Sequence, residues 1–430
     1  MKTNSKLKIN TSLVLLLCMS ATLIEELARS VCLGLNISVP FFVAELDLLF
    51  YIASYIFIFL IEIKRPSHKS LVSSIFVSLF IVLLFLITNI INPNVTIFNL
   101  QFVSLIYRIP LFVYLGNELY SIDNIFETLS KIVHISCLYA LINLFWVHQT
   151  DYYMVFSYYL LPWAGIAYFQ WSRKKRIVYL VETLFLGVVV FVFGARMPLL
   201  CLMIMVVFDN LFIVKERNKR ALLLMTLLSI VTLVFLVFRN EMETVLSNLF
   251  PESRTILKFL SGDFFNTNQR IRIYEALISE IKVNPFAIRG LYSDRLFFGI
   301  NYTNSNSLGI WLDSSNQYSV YAHNFVLEGV FDFGLIFGSL LILFIILRTV
   351  HAYKYSRKLD YYDNSQNRYH MQLVLFITII GVFPLLVSNS YLSYIYFWLF
   401  IGMIIKKSRF KRQAPIIKET REIKMYDKEN

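Results

Sequence analysis

The sequence predicts an all-α integral membrane protein with about twelve transmembrane helices and one large extracytoplasmic loop. Three observations carry that expectation. First, 57% of the 430 residues are hydrophobic and only 16% charged, where a soluble domain is about 45–50% apolar and about 25% charged. Second, apolar runs of spanning length recur along the chain. Third, the basic residues alternate between the connections in the manner of the positive-inside rule.

The apolar runs lie near residues 11–33, 40–62, 71–91, 98–116, 132–149, 153–172, 177–194, 197–214, 221–238, 324–347, 371–388 and 390–406. The first follows Lys2, Lys6 and Lys8 as a signal peptide would, but Glu25, Glu26 and Arg29 stand where a small-residue cleavage site is needed. It therefore reads as an uncleaved first span. With both termini cytoplasmic, 29 of the 40 Lys and Arg residues fall on the cytoplasmic side. Short outer connections such as 92–97 and 150–152 hold none. The net charge of +12 is then a topological signal. It gives no reason to expect nucleic acid as a partner. Cys18, Cys32, Cys137 and Cys201 all lie in apolar runs without a CxxC spacing. They read as small buried side chains, not as disulfides or zinc ligands.

Four regions follow: 1–238, an N-terminal membrane region of about nine spans; 239–323, an outer loop; 324–406, a C-terminal membrane region of about three spans; and 407–430, a basic cytoplasmic tail. A loop of that length is uncommon and usually functional. Within it, Ile271, Tyr274, Leu277, Ile278 and Ile281 recur at helical spacing, which predicts an amphipathic helix over 269–282. Eight basic residues balance eight acidic ones in the loop. Anion binding there has to come from individually placed arginines.

Ionisable residues inside spans are costly and draw attention by default. Glu25, Glu26, Glu45, Asp47, Arg108, Glu182, Asp209, Glu328 and Asp332 are of this kind. The acidic group in the first two spans reads mainly as structural, with Arg108 as a partner for one of its members. Arg196 stands in Phe193-Gly-Ala-Arg-Met-Pro198 between two spans. A guanidinium held at that boundary can bind phosphate bidentately; as an interfacial anchor it would meet lipid phosphate. The loop adds Arg270 and Arg272, with Glu275 as a helical partner for Arg272, and then Arg289 and Arg295. His323 and Asn324 stand where the loop re-enters the membrane. The histidine suits proton transfer near neutral pH, and Asn324 suits a helix cap. No GxxxxGK, HExxH, GxSxG or CxxC motif occurs, and no carboxylate pair marks a hydrolase.

Three segments, in order and with this topology, resemble the O-antigen ligase and polymerase superfamily. They are Gly194-Ala195-Arg196; Arg270-Ile-Arg-Ile-Tyr274 followed by Asn284-Pro285; and His323-Asn324-Phe-Val-Leu327 followed by Asp332-Phe-Gly334. The resemblance covers roughly residues 177–347. The chain departs from the family pattern in having Tyr274 for the usual Trp, Asp332 for a commoner Glu, and a reduced glycine-rich turn before Gly290. The resemblance implies a GT-C-like, metal-independent membrane glycosyltransferase without a cofactor. Its substrates would be undecaprenyl-pyrophosphate-linked glycans as donor and acceptor. Its place would be the outer face of a bacterial cytoplasmic (inner) membrane, with a flippase and a chain-length regulator as partners.

On that pattern His323, Arg196 and Arg270 are the catalytic candidates, and Arg272, Arg289, Asn324 and Tyr274 the substrate-binding ones. Tyr292, Tyr302, Trp311, Tyr318 and Tyr321 are candidates for stacking on sugars. The leading expectation is a Wzy-type polymerase joining repeat units of O-antigen or capsular polysaccharide. The alternatives are an O-antigen ligase, with lipid A-core of lipopolysaccharide as acceptor, and a lipid-linked oligosaccharide flippase. A transporter commonly shows two comparable halves, whereas here the long loop occurs once.

Overall fold

The computed structural model describes residues 4–122, 124–147, 154–193, 196–213, 268–308, 312–362 and 368–406. The expected span at 221–238, the first third of the outer loop and the basic tail lie outside the described residues. Every regular element among the described residues is a helix.

The first membrane layer is built from α1 (Asn4–Gly34), the single turn α2 (Phe41–Ala44), α3 (Leu46–Ile63) and α4 (Lys69–Ile91). A 3₁₀ turn (Pro93–Phe98) leads into α5 (Asn99–Ile106) and α6 (Arg108–Glu118). The run expected at 98–116 is thus a broken helix. Next come α7 (Ile125–Ile142), α8 (Met154–Lys174), α9 (Ile177–Phe193) and α10 (Arg196–Phe208). The outer loop contributes α11 (Asn268–Val283) and α12 (Ser293–Asn301). The C-terminal layer is α13 (Phe325–Tyr362), α14 (Tyr369–Val382) and α15 (Ile395–Ile405). Seven of the described helical segments are long and apolar enough to cross a membrane, and three more are apolar but shorter. The protein is a multi-pass membrane protein.

Burial runs opposite to a soluble protein's on the outward helices. On α4, Phe76, Leu79, Phe80, Leu83 and Leu86 are all exposed, as hydrocarbon-facing side chains are. α6 is the central helix, with every residue from Leu111 to Glu118 buried. It packs closely against α15 because two glycines face each other's backbones. A methyl at Gly116 would collide with the Leu399 carbonyl oxygen, and one at Gly402 with that of Val113. Small residues at such crossings are how membrane helices approach. The substitution Gly402→Val is expected to destabilise by about 1–3 kcal/mol through overpacking. A lowered melting temperature of the purified protein in detergent is the check; an unchanged one would deny the close crossing.

Several charged residues of the described spans are paired. Arg108 meets Asp47 at 3.0 Å and lies over the Tyr51 and Tyr107 rings. Arg29 meets Glu25 at 2.7 Å. Arg65 bridges Glu62 and Glu118, and Glu182 pairs with His134. Asp209 accepts hydrogen bonds from Tyr168, Ser172 and Gln372. These pairs and hydrogen bonds tie neighbouring helices together in register. Among the described residues all four cysteines are free thiols, Cys18 and Cys201 being fully buried.

Candidate active site at the loop face

The described part of the loop carries a small apolar core of its own. Ile273, Ala276 and Leu277 of α11 pack with Phe298, Leu308, Leu312, Val320, Ala322 and Phe331. The inward face of α11 is therefore the 270–273–277 stripe, at the i, i+3, i+7 spacing of one helix face. Of the expected apolar face, Leu277, Tyr274 and Ile281 pack on this core, whereas Ile271 and Ile278 are exposed and Ile273 and Ala276 stand in their place. This phase matters for the arginines. Arg270 shares the inward face, whereas Arg272 points outward and is exposed. Arg272 forms no ion pair with Glu275.

The loop is clamped to the bundle by the segments that looked like family motifs. The backbone N–H groups of Arg289 and Gly290 donate to the Asp332 carbonyl oxygen at 2.9 and 2.8 Å. Leu335 N–H donates to the Pro285 carbonyl at 2.7 Å. The helix α13 breaks between these contacts at Gly334, whose φ of 73° is the left-handed region that favours glycine. A side chain there would also press on the Phe286 and Ala287 carbonyls. Gly290 (φ 86°) lies against Thr88 of α4, whose hydroxyl oxygen accepts from Leu291 N–H at 3.0 Å. The Asn284-Pro285 and Asp332-Phe-Gly334 motifs are thus two sides of one joint.

Arg289 belongs to that joint. Its guanidinium pairs with Glu280 at 3.1 Å, donates to the Phe331 carbonyl at 3.4 Å, and lies 4.6 Å from the Phe331 ring centre. Its donors are engaged within the protein.

The chain before α13 turns sharply at His323 (φ 52°). Asn324 then caps the helix, its side-chain oxygen accepting from Val326 and Leu327 N–H at 3.0 and 3.1 Å. Its amide donates to the Leu386 carbonyl at 3.1 Å. That bond fixes the start of α13 to the turn between α14 and α15. Ser388 in this turn is a hub. Its carbonyl oxygen accepts from the Tyr321 hydroxyl and from His323 Nδ1, the latter at 3.3 Å. Its hydroxyl accepts from Arg270 Nη2 at 3.5 Å. The His323 and Tyr321 rings lie 3.9 Å apart, centre to centre.

This arrangement fixes the tautomer of His323. A carbonyl only accepts, so Nδ1 carries the proton and Nε2 keeps its lone pair. Burial lowers the pKa of His323 to about 4, and the guanidinium groups of Arg270 and Arg295 push it the same way. The ring is neutral at pH 7, with a free acceptor nitrogen.

Beneath lie three buried carboxylates. Asp294 accepts from Ala322 and Arg295 N–H, both at 2.8 Å. Burial raises its pKa. Asp332 accepts from Ser293 at 2.6 Å and Tyr391 at 2.8 Å, and Glu328 from Ser390. They join the loop to α13 and to the Ser388 turn.

Of the expected site residues, Arg270, Tyr274, His323 and Asn324 come together; Tyr274 adjoins both Arg270 and Asn324. Arg196 opens α10, and its side chain lies outside the described residues, as does Trp311. The expected sugar platform is mostly spent on packing: Tyr292 is buried and stacked 4.8 Å from Phe98, and Tyr302 packs on Phe297. Sequence reasoning missed Ser388. The only available signal was the polar run Ser388-Asn-Ser390 between two apolar spans.

Residues 181–343 match the family described as O-Antigen ligase. The chain carries an O-antigen ligase-like domain. This domain holds Arg196, Arg270 and His323 together with the joint at Gly334; Ser388 lies beyond it. Members of the family act on lipid-linked glycans in the membrane. Neither the search of curated proteins nor that of solved structures returned a match.

Proposed function

We propose that this O-antigen ligase-like protein is a polymerase. It joins undecaprenyl-pyrophosphate-linked oligosaccharide repeat units into O-antigen or capsular polysaccharide at the outer face of the cytoplasmic membrane. The observation that carries this reading is the meeting of Arg270 with His323 on the Ser388 turn. The guanidinium there has one long hydrogen bond and no carboxylate at ion-pair distance among the described residues, and the neutral imidazole beside it has an unprotonated Nε2.

The chemistry follows from those two groups. Transfer breaks the bond between the anomeric carbon of the donor glycan and the pyrophosphate oxygen, and forms one from that carbon to an acceptor hydroxyl oxygen. The hydroxyl proton goes to Nε2 of His323, and pyrophosphate leaves as the lipid-bound anion. Arg270, with Arg196 at the start of α10, meets the growing negative charge, and fixed cations in a water-poor site do this efficiently. Tyr274 and Asn324 line the same end. Arg272 stands on the outward face of α11 and Arg289 serves the joint, so neither is assigned to the substrate. The twelve spans and cytoplasmic termini expected from the sequence would put this end of the bundle outside.

Deletion of the gene and complementation with wild type decides between the readings. Loss of a polymerase leaves surface glycan as single capped units. Loss of a ligase strands full polymer on the lipid carrier, and would replace the present reading. Lipid-linked units trapped on the cytoplasmic side would instead mean a flippase.

A further inference from the structure

Arg295 was one loop arginine among several in the sequence. In the structure it occupies a particular place. It is half-buried on α12, with its guanidinium 5.1 Å from the Tyr321 ring centre and 5.8 Å from that of Tyr292. Tyr321 is the ring that lies on His323. Arg295 is also close enough to bear electrostatically on His323, as Arg270 is. Its hydrogen bonding is sparse. A guanidinium carries five N–H donors, and among the described residues the one bond from this side chain goes from Nη1 to Gln101 Oε1 at 3.2 Å.

Arg295 bears electrostatically on the buried acids Asp294 and Glu328, but their hydrogen bonds are made to other groups. Asp294 accepts from two backbone amides, Asp332 from Ser293 and Tyr391, and Glu328 from Ser390 through one of its two oxygens. Among the described residues Arg295 reaches no carboxylate at ion-pair distance, unlike Arg289 with Glu280. Two tyrosine rings hold the cation by cation–π contact. They hold the charge without occupying its N–H donors, of which one is bonded among the described residues. Arg270 and Arg295 thus both bear on the Tyr321–His323 stack, each with a single side-chain hydrogen bond among the described residues.

We infer that Arg295 is an anion-binding residue of this site, gripping a pyrophosphate together with Arg270. This rests on the proposed function for the nature of the anion. It differs from that reading in assigning a residue on α12, beside Tyr321 and Tyr292, to the grip.

The probe is undecaprenyl pyrophosphate binding to the purified full-length protein in detergent. Undecaprenyl monophosphate and phosphatidylglycerol serve as parallel arms. Arg295→Ala is expected to weaken undecaprenyl pyrophosphate binding roughly 10- to 100-fold, the loss of one charged hydrogen-bonding partner. Arg295→Lys retains part of the affinity, since it keeps the charge and loses the fork. Arg289→Ala leaves affinity unchanged in the folded fraction. Where Arg295→Ala does not fold, Arg295→Lys and Arg295→Gln decide: tighter binding by Lys than by Gln supports the assignment. Wild-type affinity in Arg295→Ala would overturn it, as would an equal loss for phosphatidylglycerol, which means a general headgroup contact. If the wild-type protein itself fails to bind undecaprenyl pyrophosphate, the proposed function falls as well.

Discussion

Replacement of His323 by Gln is expected to lower glycan transfer by roughly 10²–10⁴-fold, the usual contribution of a positioned proton acceptor, while the protein still folds and binds its lipid donor. Glutamine can keep a donor toward the Ser388 carbonyl but presents no basic nitrogen. The pH dependence gives an independent reading of the same group. With a pKa of about 4 in the free protein, His323 is already unprotonated well below neutrality. The rate at low substrate, kcat/KM, therefore stays level from pH 7 to about 5, and falls only as pH approaches about 4. A midpoint near the ordinary histidine value of about 6.5 would contradict the buried geometry.

The sign for stability runs in the same direction. Between about 6.5 and about 4 the unfolded chain takes up a proton that the folded site refuses. Folded-state stability from this group is therefore complete above about 6.5 and is lost as pH falls through that window. Anion binding acts the other way. A pyrophosphate between the arginines offsets their positive charge, so the histidine becomes a stronger base once the donor is bound. The midpoint of kcat, which reports the bound state, is expected to lie above that of kcat/KM.

The second large effect concerns Arg270. Arg270→Ala is expected to cost about 10²–10³-fold in turnover, the scale seen when one charge-stabilising donor is removed from a reacting centre. Arg270→Lys restores only part, because an ammonium cannot reproduce a planar two-pronged contact. The adjacent Arg272→Ala is the internal control: it lies two residues along, on the exposed face of α11, and is expected to keep near wild-type turnover. Equal losses from Arg270→Ala and Arg272→Ala would mean that the loop works through its overall charge, and would reject the site geometry. Quantifying polymer made by membranes containing each variant makes the comparison.

The membrane architecture was readable because two strong physical demands act along the chain: spans must be apolar, and basic connections stay on one side. The pairing of Arg108 with Asp47 was expected in kind, although its partner could not be named. The site was readable in part. Arg270, Tyr274, His323 and Asn324 lie far apart in sequence and do converge. The face of α11 was legible through Leu277, Tyr274 and Ile281, but apolar residues beside a membrane face outward at little cost, so Ile271 and Ile278 look no different from Ile273. Arg289 appeared as free as Arg270 because its partner, Glu280, is reached only across the Asn284-Pro285 turn. Ser388 contributes mainly a backbone carbonyl, a group every residue has and no motif can mark.

The most direct test is a reconstitution. Purified protein in liposomes receives undecaprenyl-pyrophosphate-linked repeat units, and both polymer and released undecaprenyl pyrophosphate are measured. The account predicts that the two appear together in wild type, and that both are lost in His323→Gln and in Arg270→Ala. Polymer formed at wild-type rates by either variant would contradict it, as would movement of intact lipid-linked units across the bilayer with no bond made.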